Sequence, residues 1–285
     1  MKLHWPRKKH LSSQPQTVLI AMISRRNIRV KVMQTLYTME TLETLIKPGE
    51  PQKVLQQHFD QSRSLLVYLT WFLTEVSRYA ETEAHKRASK HLPSAEDLNV
   101  NTKIAGNQVL WKMLDDPALQ EQFNKEKPEL ILNKSQEGSQ ELLRRIYLDM
   151  VEKPEYKAYA ASGAREKQEE RKIMEFILND MLLANELFIS HIEENFSNWN
   201  DDGEMVVQLL VGYIQKPGNL EFRQLVSPEK AEFARHLLQT VLDKATHLQD
   251  IIIPKLKNWD PERIALLDMI LMKMCVAEFL YFETI

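Results

Sequence analysis

Ser24-Arg25-Arg26-Asn27-Ile28-Arg29-Val30-Lys31-Val32-Met33-Gln34-Thr35-Leu36-Tyr37 reads as the start of an amphipathic helix whose opening turns are crowded with cations. Ile28, Val32, Leu36 and Met39 recur at helical period and predict a stripe that anchors the helix to a core. Asn27, Lys31, Gln34 and Thr38 then mark the solvent side. Ser24 can accept from the amides of the first turn. Arg25, Arg26 and Arg29 lie near the positive end of the helix dipole, where a cation costs roughly 0.3 to 1 kcal/mol at low salt and an acid is the natural choice. A phosphate backbone reverses that sign, because arginine forks bind phosphate in pairs of hydrogen bonds and helix-terminal amides add to the same anion site. The segment therefore predicts RNA or another polyanion as partner, or else an incidental basic start. On this reading, replacing the three arginines by alanine leaves melting unchanged or slightly improved.

The asymmetry extends beyond this helix. Net charge is only −3, yet residues 1–39 hold eight Lys or Arg and no acid, the first carboxylate being Glu40. Such a distribution fits a polyanion-binding segment or a solvated basic tail. Lys2, Arg7, Lys8 and Lys9 precede a short apolar run, Val18 to Ile23, which is too brief for a secretion signal and is followed by Arg25 and Arg26 rather than a cleavage site. No stretch approaches the ~20 apolar residues of a membrane span, so the expected setting is cytoplasmic, with no membrane partner. The single cysteine, Cys275, fits a reducing compartment and, between Met274 and Val276, reads as a small buried hydrophobe.

Seven glycines in 285 residues, with abundant Leu, Glu, Lys, Gln, Met and Ala, predict an all-α fold. The first helix should run from Ser24 to about Ile46, ending before Lys47-Pro48-Gly49-Glu50-Pro51. A long helical hairpin or pair is expected over about 52–90, then short helices and loops over 91–138, where Pro93, Pro117, Pro128 and Gly138 interrupt the pattern. Ser139 opens a further helix, and 165–196 reads as one long helical stretch. Ser227-Pro228-Glu229 and Asp260-Pro261-Glu262 each combine a capping side chain, proline at the first helical position and an acid at the dipole's positive end. Phe196 to Asp201 is echoed by Leu256 to Pro261, each just before a predicted helix; two copies do not make a solenoid.

Catalytic patterns are missing from the sequence. No glycine is followed by lysine, no G-x-G-x-x-G or G-x-S-x-G occurs, no H-E-x-x-H occurs, and no histidine has an acid three residues before it. The reading is of a non-enzymatic protein with no cofactor, metal or catalytic residue. Its acid clusters, such as Glu166, Glu169 and Glu170, are expected to be solvated helix faces.

Ser24-Arg25-Arg26, then Arg29, then Val32-Met33-Gln34-Thr35-Leu36-Tyr37 resembles the opening of the bacterial transcription antitermination family NusB, R-R-x-x-R-x-x-x-x-Q-A-L-Y. Phe233-Ala234-Arg235-His236-Leu237-Leu238-Gln239-Thr240-Val241 is similar to that family's F-x-R-x-L-L-x-G-V, with Thr240 where glycine is usual. Trp259, Arg263-Ile264-Ala265, Asp268, Leu271 and Glu278-Phe279 resemble its W-x-x-x-R-I-A-x-x-D and closing E-L. The resemblance implies a helical bundle organised as a basic extension over 1–22, expected to be disordered with Met22 a candidate start, a first family-like helix over 23–48, a large helical insertion over 49–224, and a family-like region over 225–285. It further implies that the family's last helices are missing after Ile285. Residues 262–280, apolar nearly all round, would then present an exposed apolar patch.

For function, the resemblance implies binding of boxA-type ribosomal RNA together with the ribosomal protein NusE, within an RNA polymerase antitermination complex. Arg25, Arg26, Arg29 and Lys31 would hold phosphates, and Gln34 and Tyr37 would contact or stack on bases, Tyr37 being equally readable as a core aromatic. Two other readings fit the same residues: an RNA-recruiting domain of a ribosomal-RNA modification system, and a helical scaffold that binds no RNA.

Overall fold

A computed structural model describes residues 23–42, 47–133, 139–257 and 260–283. Within them the chain forms fourteen α-helices and no strand, as the glycine-poor composition predicts. They are α1 (Arg25–Thr41), α2 (Glu50–Ala88), α3 (Ala95–Leu98), α4 (Gln108–Leu114), α5 (Pro117–Glu126), α6 (Pro128–Asn133), α7 (Ser139–Glu152), α8 (Pro154–Ala161), α9 (Lys167–Phe176), α10 (Glu186–Asn195), α11 (Trp199–Gln215), α12 (Pro228–Asp243), α13 (Ala245–Ile252) and α14 (Leu266–Tyr281). The leader over 1–22, Met22 included, and Trp259 lie outside the described residues.

The architecture is organised on α2. Where a hairpin or pair was expected, a single helix of 39 residues runs unbroken, about 58 Å at the usual rise. Between Gln52 and Ala88 there is neither glycine nor proline, so nothing in the backbone interrupts it. Six consecutive residues, Leu65 to Thr70, are buried, which requires neighbours on every side. Those neighbours are α1, α7 and α11 along its length, with α3 to α6 and a 3₁₀ turn at Lys103–Gly106 closing the remainder. One hydrophobic cluster extends from Ile23 through Phe72, Ile177 and Leu210 to Ala277, so residues 49–224 share a core with α1, α12 and α14.

Two other expectations are revised. The stretch 165–196 is not one helix: α9 passes into a π-helical turn at Ile177–Leu182, where the Leu183 amide reaches the Leu178 carbonyl at 2.9 Å. The chain then breaks, and the Asn185 side chain accepts from the Phe188 amide at 3.1 Å to restart it as α10. Ser227 caps α12 as its sequence predicts, accepting from the Lys230 amide at 3.3 Å. Asp260 also caps, accepting from the Glu262 amide at 3.1 Å, but the turn it starts is a 3₁₀ piece, Pro261–Arg263. Ile264 and Ala265 are extended, and α14 begins only at Leu266.

Helix α14 packs its Ile270, Met274 and Ala277 against α1, α12 and α13 and leaves its other side open. Leu271 is 47% exposed, Phe279 68% and Leu280 52%, so the 49–224 segment does not enclose them. Cys275 lies on this open side, one turn from Leu271 and from Phe279, and is exposed rather than the buried hydrophobe its apolar neighbours suggest. Sequence neighbours mislead here because residues adjacent in a helix face different ways. Among the described residues no helix is long and apolar enough to cross a membrane.

The two sides of α14 should respond differently to truncation. Ile270→Ala or Met274→Ala is expected to cost about 2–5 kcal/mol in denaturant unfolding, as for other buried large-to-small changes. Leu271→Ser and Phe279→Ser should leave the midpoint nearly unchanged while lowering binding of an apolar dye. Equal losses on both sides would show that α14 is covered all round.

Candidate nucleic-acid interface

The basic helix α1 is held on three sides: by α2, by α12 and by α14. Its start is fixed as its sequence predicts, with the Ser24 hydroxyl accepting from the Asn27 amide at 3.2 Å and the Lys230 ammonium donating to the Ile23 carbonyl at 2.7 Å. Ile28, Val32, Leu36 and Met39 are buried, as their spacing requires. The cations, which looked alike in sequence, have three different fates.

Lys31 is the first. It is buried, not on the solvent side, and its ammonium lies 2.6 Å from Asp202 of α11. Asp202 also accepts from the Ser62 hydroxyl of α2 at 2.7 Å and from the Asn198 amide at 2.6 Å. The pair is thus enclosed and hydrogen-bonded, the condition under which a buried charge pair is tolerated. An ammonium in that position cannot meet a phosphate, which removes Lys31 from the candidate interface. The sequence did carry a signal: Lys31 is three residues after Ile28 and four before Thr35, both buried, so it belongs to the inward stripe.

Arg29 is the second. Its guanidinium makes two hydrogen bonds to Glu278 of α14, at 2.7 and 2.6 Å, and lies over the Phe233 ring of α12. The Glu278 hydrogen bond raises the arginine's pKa further, against the opposing effect of burial. The expectation that all three arginines are costly for structure therefore fails at Arg29, where a buried carboxylate outweighs the helix dipole. No spacing rule could have shown this partner, which is 249 residues away.

Arg25 and Arg26 are the third group. Arg25 makes a 3.4 Å ion pair with the exposed Glu229 and also lies over Phe233. Surface pairs of that kind are weak, so the guanidinium can exchange Glu229 for another anion. Arg26 is exposed and has no ion-pair partner among the described residues. It borders an apolar groove of about 380 Å³ between α1 and α14, lined by Met33, Leu271 and Phe279 among others.

Val30 and Met33 also line a second recess, of about 660 Å³, further along α1. Gln34 and Tyr37 face it, joined by His58 of α2, Asp201 of α11 and Leu266 and Leu267 of α14. Tyr37 is 46% exposed, which excludes the core-aromatic reading. The Gln34 amide donates to Asp201 at 2.8 Å, which fixes its orientation and turns its carbonyl oxygen away. That oxygen and the His58 Nε2 are both buried with no hydrogen-bond partner among the described residues. Leaving such an atom unmet costs about 1–3 kcal/mol. Burial and the nearby Lys31 ammonium lower the His58 pKa, which keeps the imidazole neutral near physiological pH. His58, Asp201 and Asp202 have no counterpart in the sequence reading, since only the packing of α2 and α11 against α1 brings them together.

Residues 195–285 match the NusB family, so the span from α11 through α14 forms a NusB-like domain. At the level of that family, such domains are non-enzymatic and go with RNA binding in transcription antitermination. Helix α1 is outside the matched span, yet it packs against α12 and α14 within it. No solved structure matches the chain.

The three fates predict an ordered mutational series. Lys31→Met should destabilise the protein by about 3–5 kcal/mol, because it strands a buried carboxylate, and adding Asp202→Leu should recover much of the loss. Arg29→Ala should cost less, about 1–3 kcal/mol, since its pair with Glu278 is only partly shielded. Arg26→Ala should not move the melting temperature. A series in which all three behave alike would contradict these placements.

Proposed function

We propose that this protein is a non-enzymatic RNA-binding adaptor that engages a boxA-type ribosomal RNA leader through the start of α1 and acts in transcription antitermination. The observation that carries this reading is the joint position of Arg25 and Arg26, two exchangeable or unpaired cations at the amino end of a helix seated on a NusB-like domain. That end gathers free amides and a positive dipole, so phosphate is a favourable occupant. Arg25 and Arg26 hold phosphates; Gln34 and Tyr37, on the same helix about 12 to 17 Å beyond Arg26, meet bases. Arg29 orients the surface through Glu278 instead of binding RNA itself. The partner is the ribosomal protein NusE, and the RNA polymerase antitermination complex is the setting.

The test is fluorescence anisotropy of a boxA-type single strand, with and without NusE, across a salt series. Two phosphate contacts on a single strand give a slope of log affinity against log salt of about −1.4, shallower than four basic residues would produce. Arg25→Ala with Arg26→Ala should reduce binding at least tenfold and flatten the slope while helicity is kept. Salt-independent binding, or a double variant that binds normally, would refute the assignment.

A further inference from the structure

The recess beside Tyr37 has features that phosphate binding does not require. Its walls at Met33, Leu266 and Leu267 are apolar, and the half-exposed Tyr37 ring stands at its edge. Its polar groups are acceptor-rich: the Asp201 carboxylate at the rim and the Gln34 carbonyl, which the Gln34–Asp201 hydrogen bond leaves without a donor. His58 adds a neutral ring nitrogen that also lacks a partner. An apolar slot with unmet acceptors suits a flat ring whose edge carries donors. A phosphate fits poorly there, because it would face Asp201.

Deepening the RNA-binding reading above, on which it rests, we propose that this recess is a pocket for one unpaired guanine of the bound strand. Guanine presents N1–H and N2–H₂ side by side, a donor pair that matches the two oxygens of the Asp201 carboxylate, which the Gln34 side-chain amide orients, while its O6 and N7 suit a donated His58 N–H. Cytosine and adenine offer a single amino group on that edge and uracil a single N–H, so each leaves an acceptor unmet. The ring stacks on Tyr37 and is held by Leu266 and Leu267, the combination of aromatic platform and edge contacts that single-stranded readers use. The groove containing Arg26 and this recess share Val30 and Met33, so one strand can run along α1 with a phosphate at Arg26 and a base in the pocket. His58 comes from the long segment outside the family match, which gives that segment a part in recognition.

The experiment compares three 12-nucleotide uridine tracts holding at the centre a guanine, an inosine (which lacks the N2 amino group) or an abasic site. Each is titrated with the full chain, with Gln34→Leu, and with His58→Phe, which keeps a ring of similar size and removes its nitrogens. The wild type should bind the guanine strand about tenfold tighter than the inosine strand, and tighter still than the abasic one, within the range a two-bond edge contact provides. Gln34→Leu should erase the guanine–inosine difference, and His58→Phe, which loses a contact to O6 or N7 that both bases carry, should bring both strands toward the abasic one; each variant should keep salt-dependent binding through Arg25 and Arg26. Gln34→Leu, at the half-buried rim, serves if His58→Phe fails to fold. Equal, salt-dependent binding of all three strands by the wild type would overturn the pocket and leave the RNA-binding reading standing. No binding of any strand at low salt would overturn both.

Discussion

The buried pair between Lys31 and Asp202 is the constraint on which the rest of this molecule turns. It joins α1 to α11, and through Ser62 it also ties both to α2. Without it the middle of the basic helix would meet α2 and α11 through apolar packing and the exposed Gln34–Asp201 hydrogen bond, and packing fixes distance more firmly than rotation. A charge pair enclosed by further hydrogen bonds has few acceptable geometries, so it sets the register of α1 against the domain. That register decides which side chains face outward: Arg26, Gln34 and Tyr37 reach the grooves because Lys31 points in.

The same logic explains how a helix can open with three arginines. The dipole opposes all of them, but two of the three are compensated within the fold. Arg29 is compensated by Glu278, and Arg25 by Phe233 and a weak surface pair. Arg26 alone is left facing open space. Charge that is balanced internally holds α1 and α14 together, and charge that is not is available to a polyanion. A cluster of like residues thus divides into structural and binding members by the partners that the fold supplies.

Helix α14 adds a second surface. Its inner face is part of the common core, and its outer face exposes Leu271 and Phe279 beside Arg26. The apolar groove between α1 and α14 continues into the recess containing His58, so the cationic, apolar and acceptor-rich regions form one strip along α1. Both α2, outside the matched span, and α11, within it, contribute to that strip, and α3 to α7 pack on α2.

Much of this was legible in the sequence. Scarcity of glycine and the abundance of helix formers determined an all-α chain, because backbone preference is local. Ser24 and Ser227 were read correctly as caps, since capping depends on amides only three residues away. The apolar stretch of α14 was visible too, but its pattern alone asks for neighbours on every side; the exposed face was expected only from the family resemblance, and the fold leaves Leu271 and Phe279 uncovered. The basic start of α1 was equally visible. Tertiary structure decided the rest. It made α2 one helix, because the sequence held no breaker and partners surrounded it, and it broke the 165–196 stretch at a π turn that no local rule marked. Above all it separated Lys31, Arg29 and Arg26, which share a charge and a helix. Their difference lies in Asp202 and Glu278, 171 and 249 residues away, and a Coulomb partner at that separation is supplied only by the packed chain.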